Sequence, residues 1–223
     1  MGWSVQQTRL TRRPRDGLRD LYRVSMIAIE DVPATQRLSF YLGEIVRNDN
    51  HAESELQMLW RSFQSAGLTS EPMQRDFGRL VPQMRKMLKH ERVPTPFAEI
   101  GEGALAFAAN SHRRRRDLVH DLLAQDFFDA NQVTSLRGDG SSRPMSELKD
   151  CADDLIRAAW RIRGLWITAP YWTGGPREEG HDAWGLHSWT RVAMGHIAEH
   201  PYAIVGTEGE APEPPGGWPP PAP

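Results

Sequence analysis

Apolar side chains between residues 34 and 67 recur every three or four positions, which is the repeat of an amphipathic helix. The stripe consists of Leu38, Tyr41, Leu42, Ile45, Ala52, Leu56, Leu59, Trp60 and Phe63. The polar stretch RNDNHAE interrupts it, so the pattern allows one long helix with a polar waist or two helices in line. We expect the waist to be a solvated turn and Gly67 to end the helical run.

The same repeat predicts further helices along the chain. One covers residues 70–88, where Pro82 should kink or restart it. An alanine-rich helix begins at residue 98, and a second pattern follows almost without a break to residue 128. Another helix runs from Ser146, as its N-cap, to Gly164, and a short last helix lies within residues 186–200.

The segments NQVTSLR and GDGSSRP lie between the pattern that ends at residue 128 and the helix that starts at Ser146, and they indicate a short extended excursion with a turn. The predicted fold class is therefore all-α. It is a helical bundle of four to five helices with a short extended excursion and an irregular C-terminal segment.

Composition divides the chain into four parts. Residues 1–31 are expected to form a basic N-terminal arm, and residues 32–168 form the helical domain. Residues 169–205 are rich in Trp and Gly and are expected to pack on the bundle, because Trp more often anchors packing than stacks on bases. Residues 206–223 should be a disordered Pro-rich tail.

Charge and residue content narrow the classes of function. The formal net charge of −2 provides no global attraction to nucleic acid, so any such binding must come from a local patch. The single cysteine, Cys151, cannot form an intrachain disulfide, and no apolar run reaches the roughly 20 residues of a membrane helix. We therefore expect a cytoplasmic protein with no membrane contact.

No motif for a metal or a cofactor stands out. The chain has no Walker or dinucleotide loop, and HIAEH at residues 196–200 does not follow the HExxH order of zinc proteases. We expect neither a metal nor a cofactor.

The stretch SHRRRRDLVHDLL, residues 111–123, carries the strongest candidate chemistry. Metal-free cleavage of RNA needs a group that moves the 2′-hydroxyl proton and a cation that holds the phosphate, tasks that suit histidine and arginine. On a helix, Arg113 and Arg116 lie within about 40° of His120, whereas Arg115 lies about 140° away. The buried side is supplied by Leu118, Leu122 and Leu123. A solvated charge run beside a structural histidine is the alternative interpretation.

This stretch resembles the signature of HEPN domains, in which an arginine is followed, after four to six residues, by a histidine on a helix. Arg115, Arg114 and Arg113 satisfy that pattern with four, five and six intervening residues before His120. HEPN-like proteins often open with a long helix that carries a glycine, a glutamate and a leucine stripe, here Gly43, Glu53, Leu56 and Leu59. An extended excursion and a last core helix often follow the histidine, as residues 133–162 suggest. The resemblance covers roughly residues 34–166.

The resemblance implies a homodimer of helical bundles with metal-independent endoribonuclease activity, in a toxin or defence role in a bacterium. The motif helices of two subunits would meet at a cleft, where Arg115 holds the scissile phosphate and His120 transfers a proton or orients the 2′-hydroxyl. Asp117, on the flank of the same turn, completes the candidate catalytic set. The RNA backbone would be bound by Arg113, Arg114 and Arg116.

The expected partners are RNA, a second copy of the chain and an antitoxin protein. The alternative belongs to a different class: a non-catalytic helical homodimer or interaction module built on the same bundle.

Overall fold

A computed structural model describes residues 31–121, 123–126, 129–136, 140–174 and 183–196. The predicted basic arm, apart from its last residue, and the predicted Pro-rich tail lie outside these described residues. A single 3-10 turn at Ala34–Gln36 leads into the first helix. The described helices are α1 (Arg37–Ser65), α2 (Phe77–Leu88), α3 (Thr95–His120), α4 (Met145–Thr173) and α5 (Ala183–Ala193).

Three short strands lie between α3 and α4: β1 (Leu123–Gln125), β2 (Gln132–Ser135) and β3 (Ser142–Pro144). They form an antiparallel sheet in the order β1-β2-β3. The prediction of an all-α bundle of four to five helices with a short extended excursion is confirmed within the described residues.

Helices α1 and α4 run side by side in the same direction and form the centre of the bundle. The Asn48 side chain of α1 donates to the carbonyl of Ala152 near the start of α4, and Ser62 donates to the carbonyl of Trp166 further along. Helix α3 packs against both in the opposite direction. At the end of the bundle that carries the sheet, one apolar cluster buries Ile45, Leu118, Val133, Leu148 and Leu155. The sheet is thus anchored in the core through Val133.

The polar waist of α1 is helical and partly buried in the bundle, so the expectation of a solvated turn there was wrong. Helix α1 is continuous from Arg37 to Ser65. Asn48, Asp49 and Glu55 are all buried, because each finds polar partners on α3 or α4. A buried polar group that is hydrogen-bonded avoids most of the cost of leaving water.

Glu55 is the centre of the polar contact between α1 and α4. Its Oε1 accepts from Arg163 Nε at 2.9 Å and contacts His51 Nε2 at 3.0 Å, while its Oε2 accepts from Trp166 Nε1 at 2.6 Å. Burial alone would raise the pKa of Glu55. The hydrogen bonds from His51, Arg163 and Trp166 and the charge of Arg163 outweigh burial and lower this pKa to about 2.

Helix boundaries differ from the sequence pattern where a local contact decides them. Helix α2 begins at Phe77, because Asp76 caps it by accepting from the Arg79 backbone N–H, and Pro82 lies in its second turn without dividing it. Helix α3 ends at His120, not near residue 128, and Leu123 already belongs to β1. Helix α4 begins at Met145, one residue before the predicted cap. Gly67, two residues after the end of α1, has a positive φ of 69° and ends the helical run, as predicted.

Helix α4 does not end at Gly164 but continues to Thr173, where Gly174 adopts φ +71°. The predicted domain boundary between residues 168 and 169 therefore falls inside a helix. Pro170 is tolerated because the carbonyl that it frees, that of Trp166, accepts from Ser62. Gly164 is needed for packing: a Cβ there would lie 2.5 Å from the Trp189 carbonyl oxygen of α5. Helix α5 packs on α4 at this point.

The Glu55→Gln variant should lose less stability than wild type when the pH is lowered. A carboxyl whose pKa is lowered by folding stabilises the fold fully above its unfolded pKa, and this contribution is lost as pH falls through the folded pKa. For Glu55, a pKa that falls from 4.5 to about 2 corresponds to about 3 kcal/mol. The free energy of unfolding, measured in urea, should therefore differ most between wild type and variant above about pH 5 and converge towards about pH 2.

Glu102→Gln is the matched control, because Glu102 forms an exposed ion pair with Arg85 and should contribute little. A difference between wild type and Glu55→Gln that stays constant across this pH range would contradict the electrostatic account.

Candidate functional site at the carboxyl end of α3

Helix α3 divides the arginine run into two pairs. Arg114 points to α4, where its Nη1 donates to Asp154 at 3.1 Å and its Nη2 to the Glu147 carbonyl at 3.2 Å. Arg115 points to α1. Arg113 and Arg116 lie on the exposed side of the helix. Two of the four arginines therefore fasten α3 to its neighbours, and two face solvent.

Arg115 is held by a buried carboxylate. Its Nε lies 3.1 Å from Asp49 Oδ2, in an ion pair without hydrogen-bond alignment, and the Arg115 side chain is only 22% exposed. The other Asp49 oxygen contacts His112 Nδ1 at 2.8 Å. The His112 ring stacks on Phe77 with 4.4 Å between centroids. Asp49 thus fixes the rotation of α3 about its own axis.

A shallow, open depression of about 390 Å³ lies where α3 ends and the sheet begins. It is lined by Arg116, Asp117, His120, Asp121 and Arg143. Asp121 Oδ1 accepts from the Ser135 hydroxyl at 2.6 Å, and its Oδ2 pairs with Arg143 at 3.2 Å. Arg143 also lies 3.5 Å from Glu147, and Arg116 lies 3.7 Å from Asp117. His120 is exposed and lines the same depression.

The structure brings together some of the predicted site residues and separates others. Arg116, Asp117 and His120 share the depression. Arg113 precedes His120 by seven residues, or about two helical turns, and lies on the same exposed face. Arg114 and Arg115 do not line the depression, because they contact α4 and α1.

Two residues that line the depression, Arg143 and Asp121, were not predicted from the sequence. Arg143 stood in a segment interpreted only as a turn, and it reaches the depression because β2 pairs with both β1 and β3. The sequence signal for Asp121 was its position directly after the candidate histidine, His120.

The depression combines an imidazole with balanced fixed charges. The guanidinium groups of Arg116 and Arg143 are matched by the carboxylates of Asp117 and Asp121. The adjacent Arg113 adds a further positive charge. Such a group can bind an anion through its guanidinium groups and offer an imidazole as general acid or base, which are the two tasks of metal-free phosphodiester cleavage.

Other candidate chemistry is weaker. Cys151 is buried, and this burial raises the pKa of its thiol to about 12, so it carries no reactive thiolate near neutral pH. Among the described residues, no group of three or more His, Cys, Asp or Glu side chains could hold a metal ion. His200 of the HIAEH segment lies outside that part of the chain.

Within the described ranges, no helix is both long and apolar enough to cross a lipid bilayer. Comparison with protein-family models, with curated proteins and with solved structures finds no match for this chain.

Asp49→Asn should destabilise the bundle far more than its small change in shape suggests. Removing one partner of a buried ion pair costs about 3–5 kcal/mol, because the other charge loses its compensation. We expect a loss near the lower end in urea unfolding, since Arg115 keeps some contact with water. Asp117→Asn, at an exposed site, should change stability by less than about 0.5 kcal/mol. Equal effects of the two substitutions would contradict the role assigned to Asp49.

Proposed function

We propose that this protein is a HEPN-like, metal-independent endoribonuclease whose active site is the depression at the end of α3. The observation that carries the proposal is the exposed imidazole of His120 beside the guanidinium groups of Arg116 and Arg143. The order of elements supports it as well: a long first helix, a motif helix that ends at the histidine, a short sheet and a last long core helix.

Arg113 and Arg116 are the arginines best suited to hold the phosphate. The Nε of Arg115 forms an ion pair with Asp49, so Arg115 positions α3 and does not hold the phosphate. Of the three spacings that fit the HEPN pattern, the one from Arg113 to His120 puts both side chains on the exposed face. Arg143 adds a cation from the sheet.

The chemistry requires two proton transfers. The 2′-oxygen attacks phosphorus and gives up its proton, and the bond from phosphorus to the 5′-oxygen breaks as that oxygen gains a proton. The products are a 2′,3′-cyclic phosphate and a 5′-hydroxyl. His120 of one subunit can perform one transfer, and a second copy of the chain would supply a second His120 for the other. The proposed active form is therefore a homodimer with the two depressions facing each other.

The proposal extends to the setting of the protein. An RNA-cleaving dimer of this type would act as a toxin or in defence, in the cytoplasm of a bacterium. An antitoxin protein that covers the depression would hold it inactive.

The test is cleavage of single-stranded RNA by the purified chain in the presence of a metal chelator. Wild type should cleave, and His120→Ala should be slower by about 10²–10⁴-fold, the usual loss of a general acid or base. Arg116→Gln should also reduce the rate, because it removes a phosphate contact. Arg79→Gln, on the exposed face of α2, is the matched control and should cleave as wild type does.

RNA left equally intact by wild type and His120→Ala would end the nuclease proposal. If the chain is then still dimeric in solution, the non-catalytic interaction module becomes the better account.

A further inference from the structure

A second cationic surface lies away from the depression, where α3, α4 and the end of α5 meet. The guanidinium carbon of Arg161 lies 4.0 Å from the centre of the Phe107 ring. Gly195 approaches the same group so closely that a Cβ there would lie 2.3 Å from Arg161 Nη2. Phe107 and Gly195 together hold the plane of this guanidinium in place.

Within the described residues, no carboxylate forms an ion pair with Arg161, and Arg161 forms no hydrogen bond. Burial and the nearby charge of Arg157 disfavour its charged form and lower its pKa, while the charge of Asp154 offsets them only in part. A fixed and partly buried guanidinium with unused donors is preorganised to bind an anion through its N–H edge.

Neighbouring arginines extend this surface towards the depression. Arg157, one turn before Arg161 on α4, lies 3.3 Å from Asp154, which also pairs with Arg114 of α3 at 3.1 Å. We call Arg157 and Arg161, together with the adjacent ion pair of Arg114 and Asp154, the cationic groove. The pair is neutral, so the surplus of two positive charges comes from Arg157 and Arg161.

The groove and the depression lie along one helix. Phe107, which supports Arg161, precedes His120 by 13 residues on α3, a rise of about 20 Å. The exposed Arg113 lies between them. A stacked strand rises about 3.4 Å per nucleotide, so about six nucleotides would cover this distance.

We infer that the cationic groove binds the backbone phosphates of an RNA strand whose scissile linkage lies in the depression. This inference rests on the proposed function, and it adds a substrate requirement: a strand must extend about six nucleotides from the cleaved bond to reach Arg161. His120 and the cationic side chains of Arg113 and Arg161 lie on neighbouring faces of the bundle and spread over about 20 Å along α3, which favours a strand of repeating phosphates over a short acidic peptide.

The experiment measures binding of labelled oligouridine to the full chain by fluorescence anisotropy. Every protein tested carries His120→Ala, which prevents cleavage. Arg161→Gln and Arg157→Gln should each weaken binding of a strand of about twelve nucleotides several-fold at low salt. Each should also reduce the dependence of log affinity on log salt by about 0.7 for each lost phosphate contact. Neither should affect a strand of about three nucleotides, which is too short to reach the groove.

Two further variants control for charge and fold. Gly195→Ala keeps every charge but displaces the guanidinium, so it should weaken binding of the longer strand as Arg161→Gln does. Arg79→Gln removes an exposed charge from α2 and should leave binding unchanged. Thermal unfolding identifies any variant that fails to fold. If Arg161→Gln does not fold, Arg157→Gln provides the test, because Arg157 is more exposed than Arg161.

Unchanged binding of the longer strand by Arg161→Gln and Arg157→Gln would overturn the inference. Competition by polyglutamate of equal charge as strong as that by RNA would also overturn it and indicate an acidic protein partner. The cleavage assay separates the two proposals: Arg161-dependent binding without cleavage by wild type refutes only the catalysis. Cleavage by wild type, together with unchanged RNA binding by the groove variants, refutes only the RNA-binding role of the groove.

Discussion

The buried carboxylate of Asp49 sets the orientation on which the rest of the candidate site depends. A charge in the interior is costly unless it is paired, and Asp49 is paired twice, with His112 and with Arg115. Both partners belong to α3, so their contacts fix which side of that helix faces α1. The opposite side, with Arg113, Arg116 and His120, is directed to solvent as a consequence.

The arginine run therefore combines packing and exposure in four consecutive residues. Successive residues on a helix are turned by about 100°, so a run of four points in all directions. Asp49 on α1 pairs with Arg115, and Asp154 on α4 pairs with Arg114. Arg113 and Arg116 remain available for an anion. A similar contact between Glu55 and Arg163 joins α1 to α4. Polar contacts of this kind give the bundle one defined rotation of each helix, which apolar packing alone specifies less strictly.

The sequence predicted the features that depend on local periodicity. Most of the apolar stripe of α1 is buried, as the three- and four-residue repeat required, and Arg116 and His120 line one depression, as their angular positions on the helix predicted. The glycine that ends α1 was predicted because its conformation is a local property. These elements need no knowledge of distant parts of the chain.

What the sequence could not predict depends on partners distant in the chain. Periodicity treats a polar residue as exposed, so the burial of Asn48 and Asp49 in the waist of α1 was not predicted. Their partners on α4 and α3 lie more than 60 residues away in the chain. Arg143 reaches the depression only through strand pairing, and Gly164 is explained only by the close approach of α5. The pairing of Arg115 with Asp49 is a contact of the same kind.

The most direct test of this account is the reactivity of each arginine in the run towards phenylglyoxal, localised by tandem mass spectrometry with and without bound RNA. The account predicts that Arg113 and Arg116 react quickly and are protected by RNA, while Arg114 and Arg115 react slowly in both conditions. Arg115 reacting as quickly as Arg113, or RNA protecting neither exposed arginine, would contradict it.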